Sequence, residues 1–434
     1  MKYWDEKHEC MGSEEMRALQ SERLVETVKR VYEHQAPYRK KMDEIGLKPE
    51  DIKSIDDLTK LPFTVKQDLR DNYPYGLFAV DMDDIVRIHA SSGTTGKQTV
   101  VGYTKNDLDM WANMVARVFT AAGADKKSIF QIAYGYGLFT GGLGAHYGAE
   151  KIGASVVPIS VGNTARQVRT LVDFGVTHIA CTPSYVIYLA ETIKEMGIKK
   201  DELKLKYGIF GAEPWTQSMR DKIEEGLGIR AYDIYGLSEI MGPGVSMSCE
   251  ENAGMHVQED YFYVEIIDPD TLEVLPDGEK GELVITTLGK EGMPMIRYRT
   301  RDICYLMRDK CACGRTTVRM SRVFGRTDDM LIIRGVNVFP SQVETVIAEF
   351  KELTMNYKLY VGRENNTDTF ELAVELAEGL AIEDIAFVEA LRGRIEHALR
   401  DMLGIGCKVK LLNEGTLPRS EGKAVRVEDT RNLG

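Results

Sequence analysis

From residue 84 to residue 235 the chain alternates short apolar runs with stretches of helical periodicity, and several runs lead straight into glycine-containing turns. Residues 84–90, 177–181, 207–210 and 231–235 read as strands. Thr182-Pro183 reads as an N-cap and first-turn proline opening a helix towards Gly197. That rhythm predicts a large α/β unit with its working groups at strand ends. Ahead of it, residues 14–48 carry Met16, Leu19, Leu24, Val28 and Val31 near helical spacing, with Ser13 as the N-cap. Pro49, Pro62 and Pro74 then break the chain into short helices and turns. Residues 1–80 are thus expected to form a helical arm of the large domain, which continues over 81–326.

Near residue 260 the pattern changes. Residues 261–267 and 282–287 read as antiparallel strands on either side of Asp268-Pro269-Asp270. After Gly325-Arg326 the chain starts again, with strands at 330–333, 359–362 and 408–412 and helices at 341–350 and 382–403. Between them lies a strand with Phe370, Leu372, Val374 and Leu376 on one face and Glu371 and Glu375 on the other. Residues 327–434 are therefore expected to form a small α+β domain with its own core.

Composition narrows the function. The chain has 434 residues and a net charge of −12, which argues against nucleic-acid coating; an anionic ligand would need a local cradle of donors. The first ten residues are polar and acidic, unlike a secretory signal. Residues 128–149 carry no Asp, Glu, Lys or Arg but hold six glycines, Gln131 and His146, which fits a buried glycine-rich loop and helix better than a membrane span. Seven unevenly spread cysteines do not suggest a disulfide framework. A cytoplasmic protein with reduced thiols and no membrane partner is expected.

The most informative segment is Ser91-Ser92-Gly93-Thr94-Thr95-Gly96-Lys97. Hydroxyls and glycines packed this closely let backbone N–H and side-chain O–H groups converge on an anion, although such clusters also form plain surface turns. A Walker A loop would need Gly at position 91, Ser or Thr at 98, and a following helix. The chain has Ser91, Gln98 and a strand-like 98–103, so that reading is rejected.

The segment instead resembles the phosphate loop of the adenylate-forming (acyl-CoA synthetase) superfamily, and four further motifs follow in that family's order. They are Tyr235-Gly236-Leu237-Ser238-Glu239, Tyr298-Arg299-Thr300-Arg301-Asp302, Gly325-Arg326-Thr327-Asp328-Asp329 and Pro418-Arg419-Ser420-Glu421-Gly422-Lys423. The stretches AYGYGLFTGG, YGLSEIMGPGV, MIRYRTRD and GRTDDMLIIRGVNVFP resemble the phenylacetate–CoA ligase branch. The resemblance implies an ATP-dependent ligase with a mixed α/β large domain and a mobile small domain. Such an enzyme makes an acyl-AMP from an aryl acetic acid and passes the acyl group to coenzyme A. It also implies a homodimer.

By the same resemblance, Ser92, Gly93, Thr94, Thr95 and Gly96 hold the departing phosphates and Glu239 ligates Mg²⁺, a hard cation suited to carboxylates. Glu239 could otherwise cap a helix after its turn. Asp302 accepts the ribose hydroxyls or pairs with Arg299 or Arg301, and Arg326 supports ribose or phosphate. Ala212, Glu213 and Pro214 flank the adenine, with Asp233, Tyr235 and Gly236 opposite; Tyr235 would equally serve as core packing. Lys423 bridges the carboxylate and the α-phosphate. Asp328 is the hinge, and Gly335 lines the CoA tunnel. Tyr136 and Phe139, in an aromatic and glycine-rich segment at 133–142, are the expected ring contacts.

A second constellation rests on spacing. Cys249 and His256 lie seven apart, and Cys311 and Cys313 form a CxC followed by glycine. Together they make a Cys₃His set suited to tetrahedral, structural Zn²⁺ within a subregion at 249–313, unless the four are unrelated. Competing functions are transfer to a carrier-protein thiol, a silent nucleotide sensor (which would have lost Lys423 or Glu239), and a zinc-based nucleic-acid module, disfavoured by the charge.

Overall fold

A computed structural model describes residues 2–91, 98–327, 331–334, 336–364, 367–419 and 424–431. Its centre is a nine-stranded sheet. Five neighbouring strands, Arg230–Leu237, Tyr207–Gly211, His178–Cys181, Ile129–Ile132 and Ser155–Val157, are parallel. The other four, led by Gly242–Ser248, add antiparallel to one edge. The βα rhythm of the sequence therefore becomes a parallel sheet, with helices Thr164–Asp173, Pro183–Glu195 and Gln217–Leu227 as connections. Helix Pro183–Glu195 starts as expected: Thr182 accepts a hydrogen bond from the Tyr185 N–H, and Pro183 fills the first position.

Most of the charge-free segment is buried, with residues 137–139 and Tyr147 exposed. It forms strand Ile129–Ile132, a loop, and most of helix Thr140–Lys151. That helix lies flush against Lys105–Ala121. A Cβ at Gly144 would come within 2.4 Å of Trp111, and one at Gly148 within 2.3 Å of Val115, so no larger residue fits without displacement. No helix among the described residues is long and apolar enough to cross a membrane.

The hairpin pattern near residue 260 is an antiparallel four-stranded sheet of Phe262–Ile267, Gly281–Thr287, Tyr298–Cys304 and Gly325–Arg326. The small domain pairs Lys408–Leu412, Thr367–Leu376, Leu353–Glu364 and Val427–Asp429, and packs helices Pro340–Glu349 and Ile385–Leu403 beside them. Buried apolar residues of the two domains form one continuous cluster, joining Tyr185 and Leu189 to Ile347 and Leu376.

Three local expectations need correction. The helix expected over 14–48 is two, Ser13–His34 and Ala36–Glu44. Pro37 would break a helix interior but fits a first turn, so the chain breaks at Gln35 and restarts; the buried Gln35 amide donates to the Leu77 and Pro294 carbonyls. Gly12, not Ser13, is the N-cap. The alternation at 370–376 fails at Glu375, which is 0% exposed and held by Arg419 at 2.7 Å and by the Leu417 N–H.

Candidate active site

The phosphate-loop motif joins two paired strands. Arg87–Ser91 and Thr99–Tyr103 are antiparallel, with Ser91 opposite Thr99. A strand, not a helix, follows the motif, as the rejection of Walker A required. Ser92, Gly93, Thr94, Thr95 and Gly96 lie outside the described residues, as do Asp328, Gly335 and Lys423.

Strand Arg230–Leu237 delivers the next motif. It is central in the large sheet and the last of the parallel set, so its carboxyl end opens where the strand direction reverses. The chain doubles back at once into Gly242–Ser248. A Cβ at Gly236 would stand 1.9 Å from the Gly242 carbonyl, so the tight return demands glycine. Glu239 sits in that return, 7% exposed, and no helix follows for it to cap. Its carboxylate accepts no hydrogen bond among the described residues; the Lys66 ammonium of the N-terminal arm stands 3.8 Å away. Beneath the turn, the buried Lys290 ammonium donates to the Ile240 carbonyl at 2.6 Å and the Tyr103 hydroxyl to Met241 at 2.9 Å. Burial pushes the Lys290 ammonium down to about 8. Lys66 and Lys290 belong to no motif, and only the fold brings them to Glu239.

Three separate motifs meet at Asp302. The Tyr235 hydroxyl donates to one of its carboxylate oxygens at 2.6 Å, and Arg326 donates to the other at 2.9 Å. Arg326 is placed by backbone pairing, since strand Gly325–Arg326 runs beside Tyr298–Cys304 with Asp302 opposite Arg326. Tyr235 is therefore more than core packing. Arg299 and Arg301 do not serve Asp302; both pair with the buried Glu282 on the neighbouring strand. Tyr235 and Arg326 thus orient the Asp302 carboxylate, one at each oxygen.

The segment at 211–214 leaves strand Tyr207–Gly211 beside this group. Ala212 has a positive φ of 69°, a costly conformation for a residue with a Cβ, and it turns the chain sharply off the strand. Glu213 bridges two elements: one oxygen accepts from the Ser184 N–H at 2.6 Å, the other from the Ala424 N–H of the C-terminal tail at 3.2 Å. Burial pushes the Asp233 carboxyl up to about 6, against the pull of Arg220. In the 133–142 segment the Tyr136 hydroxyl lies 3.2 Å from His146 Nδ1, and Phe139 is 41% exposed over the start of helix Thr140–Lys151.

The cysteine–histidine set converges elsewhere. Strand Met255–Val257 lies between Gly242–Ser248 and Arg319–Met320, with His256 opposite Arg319, and this register brings the two pairs together. One ligand atom from each of Cys249, His256, Cys311 and Cys313 lies within 4.8 Å of all the others, and all four residues are buried. Cys249 and Cys311 sulfurs are 3.7 Å apart, and Cys313 Sγ is 3.4 Å from His256 Nε2. A tetrahedron with ordinary Zn–S and Zn–N lengths has S···S edges of about 3.75 Å and S···N edges of about 3.5 Å. His256 Nδ1 lies 3.1 Å from Thr317 Oγ1, which orients the ring, and the Arg315 N–H donates to Cys313 Sγ. Cys181 and Cys304 are buried, and no cysteine is in a disulfide.

Comparison with known proteins agrees with this geometry. Residues 11–290 match the AMP-binding enzyme family and residues 335–431 the AMP-binding enzyme C-terminal domain. The chain is 51% identical to the phenylacetate-coenzyme A ligase of Thermus thermophilus, over 98% of both chains. It is 52% identical to that of Escherichia coli, over 98% of this chain and 97% of the relative. Among solved structures, 2-hydroxyisobutyryl-CoA ligase in its postadenylation state with 2-HIB-AMP superposes with a TM-score of 0.93 at 30% identity, covering 99% of this chain and 93% of that one. The same ligase with 2-HIB-AMP and CoA in its thioesterification state gives 0.74 at 31% identity, covering 100% and 93%. The domain arrangement described above is thus closer to the postadenylation state. The chain belongs to the adenylate-forming AMP-binding enzymes and, within them, to the phenylacetate–CoA ligase family.

Proposed function

We propose that the chain activates an aryl acetic acid, phenylacetate foremost, in two steps within one cleft. The acid's carboxylate attacks the α-phosphorus of ATP and pyrophosphate leaves. The thiol of coenzyme A then displaces AMP from the acyl-adenylate, giving the thioester. The observation that carries this reading is the bonding of Tyr235, Asp302 and Arg326, from three separate motifs, at the carboxyl end of the parallel sheet.

Negative charge gathers around the α-phosphate in the first step, so the cleft needs donors and cations aimed there beforehand. The 92–96 loop would take the departing phosphates, and Lys423 would bridge the two anions that must meet. Asp302 orients the ribose, while Ala212, Glu213 and Pro214 face Asp233, Tyr235 and Gly236 across the adenine. Tyr136 and Phe139 meet the ring, Asp328 is the hinge, and Gly335 lines the pantetheine path. A buried carboxylate that accepts no hydrogen bond among the described residues suits a hard cation, so Glu239 would hold Mg²⁺, which neutralises phosphate charge when bound. Zn²⁺ on Cys249, His256, Cys311 and Cys313 would be structural, because four protein ligands leave no open position.

Pyrophosphate release screened over small aryl and alkyl acids, with and without coenzyme A, tests the proposal. Arylacetates should give the highest kcat/KM, and coenzyme A should turn bound adenylate into thioester. Release indifferent to the acid, or no thioester with coenzyme A, would sink it. Asp302→Asn should raise the KM for ATP by roughly 10–100-fold with a smaller effect on the acid's KM, because charged hydrogen bonds are weakened. Steady-state kinetics with each substrate varied separately reads this.

A further inference from the structure

The described residues on either side of 420–423 both contact the large domain, Arg419 at helix Pro183–Glu195 and Ala424 at Glu213. On the N-terminal side, the Arg419 guanidinium meets Glu375 of its own domain at 2.7 Å and, across the domain boundary, Glu191 at 3.5 Å. On the C-terminal side, the Ala424 N–H donates to Glu213, whose other oxygen accepts from Ser184. Glu191 and Ser184 both lie in helix Pro183–Glu195. Only residues 420–423 separate the two anchors.

The charges around Glu191 show what Arg419 does there. Docking brings Glu375 and Glu414 of the small domain towards Glu191 and Glu195 of this helix, four acids on one patch. Arg419 is the cation that faces Glu191 there, while Lys194 of the same helix faces Glu414. Its bond to the fully buried Glu375 lies wholly within the small domain and would travel with it. The contact to Glu191 would break on rotation, leaving Glu191 to water. Such a contact is strong enough to bias docking and weak enough to release.

We propose that Glu191 and Arg419 are positioning residues for adenylation: their interdomain ion pair holds the small domain where Lys423 acts, without touching substrate. The proposal rests on the reading of Lys423 given above. A half-buried pair of this kind is worth a few-fold in an equilibrium. Glu191→Gln should therefore slow acid-dependent pyrophosphate release about five-fold under single-turnover conditions and leave thioester formation from supplied acyl-adenylate unchanged or faster. Arg419→Gln should cost more, because it leaves like charges facing each other. Adding Glu191→Gln to it should then restore part of the lost rate. Lys194→Gln, which breaks the exposed cross-domain pair with Glu378, should change neither half-reaction.

Equal loss in both half-reactions, no loss in Glu191→Gln, no recovery in the double variant, or the same loss in Lys194→Gln would overturn the proposal. Glu191→Gln alone keeps it testable should Arg419→Gln misfold. If Lys423→Ala itself spares adenylation, the reading of Lys423 has failed rather than the latch.

Discussion

Lys423→Ala should lower acid-dependent pyrophosphate release by roughly 10²–10³-fold, the usual loss when one preorganised charged donor is removed from a developing anion. Thioester formation from supplied acyl-adenylate should be largely spared. The asymmetry follows from charge. In the first half-reaction a carboxylate must approach a polyphosphate, two anions that repel, and an ammonium between them is favourable mainly as they meet. In the second half-reaction a thiol attacks an already neutralised acyl carbon, and AMP leaves as an anion the rest of the site already binds. The domain arrangement is closer to the postadenylation than to the thioesterification state of the solved relative. Rapid-quench measurement of both half-reactions on one variant checks this. An equal loss in the two would mean that one conformation serves both.

What the sequence disclosed, and what it hid, divides by the range of the forces involved. Strand ends, caps and glycine turns are decided by neighbours in the chain. Thr182-Pro183 therefore fixed its helix start, and the residues after Lys97 could be read as strand. The glycine-containing turn after Tyr235 was legible, but the bond from Tyr235 to Asp302 was not, because it joins residues 67 apart in the chain. Pairings set by the tertiary fold escaped. Glu375 sits where period-two alternation puts a solvent-facing acid, yet it is buried because Arg419, 44 residues on, supplies its counter-charge. Arg299 and Arg301 stand next to Asp302 in sequence, but alternation and sheet pairing turn them to Glu282. Lys66 at Glu239 had no local signal at all.

The second large effect expected concerns the cysteines. Purified protein should contain about one equivalent of zinc per chain, and Cys311→Ser should lose it. Three buried thiols and an imidazole within bonding reach of one point repel as thiolates and waste their donors as thiols. The Cys313 thiol is drawn down by donation from Cys249, while the same contact drives Cys249 up. A dication removes that conflict by binding every sulfur as thiolate. The site also closes a loop, since Cys249 and Cys311 are 62 residues apart. It holds the start of the chain as well: the Tyr3 hydroxyl donates to the Cys313 carbonyl, and Glu9 pairs with the buried Arg315 at 2.7 Å. Losing the metal should therefore cost several kcal/mol, a fall in Tm of roughly 5 °C. The region around Tyr3–Glu9 should become sensitive to protease before the rest of the chain. Elemental analysis, thermal unfolding and limited proteolysis of Cys311→Ser beside the unsubstituted protein would read all three. Stable, protease-resistant protein without metal would end the assignment.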